Sequence, residues 1–196
     1  MGRFRSLTDN IYKLENFIDK KNKRKLLNIY KKSTSYGSGP CFKTHYLNEK
    51  QTLWIVDYLK ENFIKIKNKN FTKIVTSMLE HPNKYQIIIV SYPKSQSKNK
   101  KNVEENLDMH YHYDKWSDWN IMLSIGNESI FKRPRKKNIS IKSSDLVLFN
   151  GNVVKHGVSI KNGKGIGNVK RVTFQIRKKI PKFFKDEERL LKLSKL

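Results

Sequence analysis

Two imidazoles and one carboxylate stand out among the residues that could do chemistry. His112 and Asp114 are separated by one residue in the segment HYHYD. Alternate side chains of a strand share a face, so the two would point the same way, with Tyr111 and Tyr113 packed on the opposite face. A second imidazole from a distant strand would complete a 2-His-1-carboxylate triad, which holds non-haem Fe(II) and leaves positions open. His156 is the best-placed candidate for it.

His110 would share the face of His112 and could replace either His112 or His156 as a ligand. We prefer His112 because it stands in the i, i+2 relation to Asp114, and we assign His110 to the groups that orient the ligands. A lone His-x-Asp pair also occurs in purely structural settings. The pair therefore predicts a metal site only if other parts of the chain support it.

An alternating segment further along the chain could bind an anion. In RVTFQIR the apolar residues would enter a core, whereas the polar ones would line the other face: Arg171, Thr173, Gln175 and Arg177. The two arginines would stand about 20 Å apart along a strand. Their long stems could still bring both guanidinium groups to one elongated dianion, and guanidinium grips carboxylate through two parallel hydrogen bonds. The alternative is a solvated basic face.

The elements that must position these residues change type near residue 85. Before it, residues 1–32 predict a basic helix, 33–40 a hinge, and Asn48 with Gln51 the capping box of a second helix. After it, five strands are predicted, at 86–92, 109–114, 121–125, 146–149 and 171–177. This order predicts an α+β chain in which N-terminal helices precede an antiparallel barrel or jelly roll.

The composition is that of one basic domain. The 196 residues carry 42 Lys and Arg against 17 Asp and Glu, a net charge of +25. Such a field attracts phosphate polyanions, so DNA or RNA is the predicted partner, although an AT-rich codon bias also contributes lysine. Cys41 is the single cysteine, which excludes a disulfide framework.

No apolar run reaches the roughly 20 residues that span a bilayer, and no signal-peptide core is present. We expect a soluble intracellular monomer of the cytoplasm or nucleus, without stable membrane association. The Lys-, Asn- and Ile-rich texture is typical of a large DNA virus or an AT-rich microbe.

From Asp108 to Lys178 the chain resembles the AlkB-like 2-oxoglutarate/Fe(II) dioxygenases. The His-x-Asp pair is followed, in the family's order, by segments similar to its motifs: Ser124-Ile125-Gly126, Phe131, residues 144–151 (SDLVLFNG), His156-Gly157-Val158, and the two arginines Arg171 and Arg177.

The resemblance implies a double-stranded β-helix whose metal ligands for Fe(II) are His112, Asp114 and His156. Arg171 would pair with the distal carboxylate of 2-oxoglutarate, and Arg177 would approach its metal-bound end. Family members use O2 to hydroxylate a C–H bond and release succinate and CO2. On an N-methylated base the hydroxymethyl product leaves as formaldehyde, which is oxidative demethylation, as in DNA repair.

This chain departs from the family's pattern at three positions. The family's Asn-x-Tyr survives only as Val90-Ser91-Tyr92, so Tyr92 is the expected hydrogen-bond donor to 2-oxoglutarate. Thr173 stands where the family often has Asn and is expected beside the same molecule. Trp116 replaces an acidic residue near the bound base, where it could stack on an extruded base.

The expected organisation is a basic helical N-terminal arm at 1–40, the oxygenase domain at 41–182 and a charged C-terminal helix at 183–196. Two alternatives remain open. A protein or small-molecule hydroxylase could use the same fold, and Trp116 keeps that reading open. A non-enzymatic basic nucleic-acid-binding protein would bind its partner regardless of metal chelation.

Overall fold

The computed structural model describes residues 3–8, 10–38, 42–81, 85–94, 107–108, 111–114 and 117–179. Within these ranges the chain forms three helices, α1 Lys20–Lys31, α2 Glu49–Phe63 and α3 Lys69–Leu79. The same ranges hold twelve strands: β1 Phe4–Thr8, β2 Ile11–Leu14, β3 Thr34–Ser38, β4 Lys43–Tyr46, β5 Tyr85–Pro93, β6 Leu107–Asp108, β7 Ser117–Gly126, β8 Ser129–Lys132, β9 Ile139–Ile141, β10 Leu146–Asn150, β11 Gly157–Ile160 and β12 Val169–Lys179.

The strands form two antiparallel sheets. The larger sheet has the order β1-β2-β10-β7-β12-β5-β4-β3, and the smaller has the order β6-β11-β8-β9. From β5 onwards the chain passes back and forth between the sheets, so that β10-β7-β12-β5 faces the four strands of the smaller sheet. This is a double-stranded β-helix, and the predicted α+β jelly roll is confirmed.

The alternation of β12 decides which side chains enter the interior of the β-helix. Val172, Phe174 and Ile176 are fully buried and pack with the apolar faces of the helices on the outer side of the larger sheet. A second cluster lies between the sheets and includes Met122 of β7 and Phe131 of β8. The polar face of β12 therefore looks into the space between the sheets, where it can contact a bound molecule.

The prediction of one helix across residues 1–32 is wrong for its first half. β1 and β2 occupy that part, and the helix begins only after Asp19, whose side chain accepts a hydrogen bond from the Asn22 amide. Every residue of β2 is buried: Ile11 packs between the sheets, whereas Leu14 packs on the helix side. A strand buried on both faces shows no polar alternation, so local spacing suggested a helix instead.

The other predictions about the fold have mixed outcomes. The capping box of α2 is confirmed, since the side chains of Asn48 and Gln51 each accept from the other's backbone amide. Cys41 and the predicted C-terminal helix at 183–196 lie outside the described residues, and the domain boundaries at 40 and 182 stay predictions. In the described part of the chain, no helix combines the length and apolar character that crossing a membrane requires.

Candidate metal centre

His112, Asp114 and His156 converge at one end of the β-helix. One ligand atom from each lies within 4.8 Å of the others. His112 Nε2 is 3.5 Å from Asp114 Oδ1, and His156 Nε2 is 3.7 Å from Asp114 Oδ2. The two carboxylate oxygens thus face one imidazole each, and the donor set is one that suits a divalent transition metal.

The backbone sets the spacing of this cluster. His112 and His156 exchange both backbone hydrogen bonds, at 2.8 and 2.9 Å, in an isolated bridge between two distant parts of the chain. The Asp114 amide donates to the Gly151 carbonyl at 2.8 Å. Main-chain contacts therefore bring the ligand side chains together.

The strand predicted at 109–114 is reduced, within the described residues 111–114, to a single bridge at His112. Tyr111 and Tyr113 were expected to pack, but each is 46% exposed, because no second layer covers this segment within the described residues. His110 lies outside the described residues, so its predicted role stays a prediction.

The surroundings of His156 fix its orientation and its proton. Nδ1 lies 2.9 Å from the Val154 carbonyl, which can only accept, so Nδ1 carries the proton and Nε2 offers its lone pair towards Asp114. The Phe131 ring stacks on the imidazole at 5.0 Å between centroids, and Phe149 meets it edge-on at 4.8 Å. Burial lowers the pKa of His156, although the Asp114 charge opposes this, and the ring stays in the neutral form that binds metals.

Asp114 is held as an anion. Burial alone would raise the pKa of its carboxyl, but the hydrogen bond with His112 and the charge of Arg177 outweigh burial, so the pKa is lowered. Asn120 Nδ2 donates to Asp114 Oδ2 at 2.6 Å, and Ser117 Oγ donates in turn to Asn120 Oδ1. Sequence reasoning missed Asn120, since no local motif connects β7 to the ligands.

Gly151 is the second residue that sequence reasoning missed. A Cβ at this position would overlap Asn120 Nδ2 and lie 2.5 Å from Asp114 Oδ2. We expect Gly151→Ala to displace the carboxylate and weaken metal binding by about 10- to 100-fold, as loss of a supporting contact typically does. Calorimetric titration with Co(II) measures this.

Gly167→Ala is the matched control, because its Cβ would meet nothing within 4 Å although its φ of +54° strains an alanine. Equal metal affinity in both variants would contradict the role given to Gly151.

A cavity of about 50 Å³ opens beside the three side chains, with Tyr92, Gln175 and Arg177 in its wall. The Arg177 guanidinium donates to Gln175 Oε1 from Nε at 3.2 Å and from Nη2 at 2.6 Å. These two bonds use two of the five N–H donors of the guanidinium, so Arg177 could bind a carboxylate without losing Gln175.

Arg171 lies outside the wall of this cavity and is only 1% exposed. Its Nη1 donates to the carbonyls of Asn127 and Ile141, but Nη2 has no hydrogen-bond partner in the described part of the chain. Burial lowers the pKa of Arg171 to about 10, so the group stays charged at neutral pH. A buried cationic nitrogen without a partner is costly, and a carboxylate would satisfy it.

Tyr92 and Thr173 are predicted contacts of 2-oxoglutarate that the structure describes. Tyr92 is the cross-strand neighbour of Arg171, and burial raises the pKa of its phenol. Thr173 is buried, donates to the Val90 carbonyl at 3.4 Å and accepts from Gln175 at 3.2 Å, so it supports the cavity wall. Trp116 lies outside the described residues.

Comparison with known proteins adds the fold and no more. No family model and no curated protein sequence matches this chain. The structure of OsALKBH1 is similar with a TM-score of 0.57 and 11% identity, covering 90% of this chain and 100% of that one. A prolyl-4-hydroxylase from Pseudomonas putida gives 0.56 and 8%, covering 87% and 93%.

A prolyl hydroxylase from Trichoplax adhaerens, in complex with a hypoxia inducible factor peptide fragment, gives 0.55 and 12%, covering 89% and 86%. The TM-scores establish a shared fold, and identities this low establish nothing beyond the fold.

Proposed function

We propose that this protein is an Fe(II)- and 2-oxoglutarate-dependent dioxygenase, an oxidoreductase that consumes O2. The observation that carries the proposal is the convergence of His112, Asp114 and His156 within 4.8 Å inside a double-stranded β-helix. When bound, iron, 2-oxoglutarate and O2 would supply the oxidant for C–H hydroxylation, with succinate and CO2 as co-products. The fold similarity to OsALKBH1 and to the two prolyl hydroxylases supports the same class.

The chain's own residues divide the work of holding the two cofactors. The triad binds the ion, with Asp114 as its anionic ligand. Arg171 would pair its unpartnered Nη2 with one carboxylate of 2-oxoglutarate, and Arg177, in the cavity wall, would hold the other end. Tyr92 donates from the β5 side, and Thr173 holds the neighbouring Gln175 in place.

We further propose that the substrate is an N-methylated base of DNA or RNA, and that the reaction is demethylation. Hydroxylation of the methyl carbon gives a hydroxymethyl group, whose C–N bond breaks to release formaldehyde. The net charge of +25 and the exposure of Tyr111 and Tyr113 beside His112 support a nucleic acid, since exposed rings stack on bases. Trp116 is a further proposed stacking residue. Such a substrate would place the protein in the cytoplasm or nucleus.

A hydroxylase of proteins or small molecules is the second candidate. It is favoured by the likeness to the two prolyl hydroxylases, whose TM-scores of 0.56 and 0.55 match that of OsALKBH1. Hydroxylation of a proline ring carbon leaves the bonds of the ring intact, so formaldehyde would not form.

Parallel assays with methylated DNA, methylated RNA and a proline-containing basic peptide test the proposal. We expect succinate to form only with Fe(II) and 2-oxoglutarate, and formaldehyde only with a methylated nucleic acid. Hydroxylated peptide without formaldehyde would favour the second candidate. Oligonucleotide binding that survives chelation, with no succinate from any substrate, would identify a non-enzymatic binding protein.

A further inference from the structure

The turn between β8 and β9 is the most basic short segment near the metal centre. Residues 132–138 read KRPRKKN, with five basic residues and no acidic one. Arg135, Lys136 and Lys137 are exposed.

The register of the smaller sheet places this turn at the mouth of the site. Lys132, the last residue of β8, is paired with Gly157, which directly follows His156. Phe131, one residue earlier, stacks on the His156 ring. Since β8 runs antiparallel to β11, the chain leaves β8 at the metal end of the sheet, where the His112 side chain is 39% exposed. A ligand held by the turn would lie beside the metal centre.

The conformation of the turn points to the Arg135 side chain itself. Arg135 has a φ of +55°, in the left-handed region that disfavours every residue with a Cβ. Glycine would adopt this conformation without the penalty. Arg133 Nη2 donates to the Lys137 carbonyl at 2.6 Å and so braces the turn. An arginine at a position where glycine is easier suggests that its side chain has a task outside the fold.

We infer that the β8–β9 turn docks the phosphate backbone of a nucleic acid, with Arg135, Lys136 and Lys137 contacting phosphates while a base reaches the metal centre. The inference names the docking element for the substrate class of the proposed function and rests on it. Guanidinium and ammonium groups are the side chains that bind phosphate, and contacts of this kind position a strand without reading its sequence. A nucleic-acid strand carries one negative charge per nucleotide, whereas a peptide carries such charge only where it contains Asp or Glu.

Combined replacement of the three residues, Arg135→Gly, Lys136→Ser and Lys137→Ser, tests this inference. Fluorescence anisotropy of the full chain with a labelled, methylated single-stranded oligonucleotide gives the affinity at several salt concentrations. We expect the affinity to fall by about tenfold or more. The slope of log affinity against log salt should fall by about 2, since each lost contact to a single strand removes about 0.7.

The matched control removes the same charge from α1, through Lys20→Ser, Lys21→Ser and Arg24→Ser. These residues are exposed, and α1 packs on the outer face of the larger sheet, away from the cavity. We expect less than a twofold change of affinity, because salt screens exposed charges that lie far from the bound strand. An equal loss in both variants would show that only net charge matters, and no loss in the turn variant would equally overturn the inference.

Arg135→Gly alone separates binding from folding. Because glycine relieves the left-handed strain, the melting temperature should stay equal or rise while oligonucleotide affinity falls. Unchanged affinity would remove Arg135 from the docking surface. Loss of binding to phosphatidylserine vesicles without loss of oligonucleotide binding would assign the turn to membranes and overturn the inference. Failure of the wild-type protein to form succinate would instead refute the proposed dioxygenase, whatever the turn binds.

Discussion

Asp114→Ala is expected to reduce succinate formation to background and to weaken Fe(II) binding by more than about 100-fold, beyond the typical effect of losing a supporting residue. The substitution removes the anionic member of the triad and leaves two neutral imidazoles facing a divalent ion. Asn120 also loses the carboxylate to which it donates at 2.6 Å. Anaerobic calorimetry with Fe(II) and a coupled succinate assay measure the two effects.

Asp57→Ala is the charge-matched control. Its carboxylate lies on α2, exposed and outside the cavity wall, so metal affinity and turnover should stay near those of the wild type. Oligonucleotide binding should survive in both variants, because the exposed basic residues are untouched. Full turnover by Asp114→Ala would refute its assignment as a ligand.

Arg171→Met is expected to raise the KM for 2-oxoglutarate by roughly 10- to 150-fold, which corresponds to the loss of hydrogen bonds to a charged group. Methionine keeps much of the length of arginine, so it avoids the large void that alanine would leave around a side chain that is 1% exposed. The guanidinium charge and the unpartnered Nη2 disappear together. Steady-state kinetics at saturating substrate measure the change.

Two further variants separate the role of Arg171 from general effects of charge. Arg171→Lys keeps the positive charge but lacks the planar fork, so its KM should lie between those of the wild type and Arg171→Met. Lys170→Met removes a charge from the adjacent residue, whose ammonium binds Asn162 near the surface, and should leave the KM unchanged. A KM for Arg171→Met equal to that of the wild type would move carboxylate binding to another residue, with Arg177 the first alternative.

Much of the candidate site could be predicted because its signals are local. The alternation of β12 placed Arg171, Thr173 and Arg177 on one face, and the structure turns that face towards the interior. The His-x-Asp pair and a distant histidine predicted a cluster that the structure assembles within 4.8 Å. Residue type and spacing suffice when each element has one polar and one apolar face.

Other parts could not be predicted because they depend on contacts between distant segments. β2 pairs with β10 and is buried on both faces, so its residues do not show the polar and apolar alternation that would predict a strand. Asn120 and Gly151 matter only because β7 and the turn after β10 meet Asp114 in three dimensions. Tyr111 and Tyr113 were predicted to pack on the assumption of a continuous strand, which the described residues do not form.

The reciprocal backbone hydrogen bonds of His112 and His156 have a consequence for metal exchange. Since these bonds need no ion, the three side chains lie near one another without a metal, so under the proposed function metal capture would be uncoupled from folding, in contrast to a zinc finger. A preformed site of two imidazoles and a carboxylate also accepts Co(II), Ni(II) and Cu(II), which bind such donors more tightly than Fe(II) does. Iron loading in a cell would therefore follow the supply of free metal, and mismetallation would yield a folded but inactive protein.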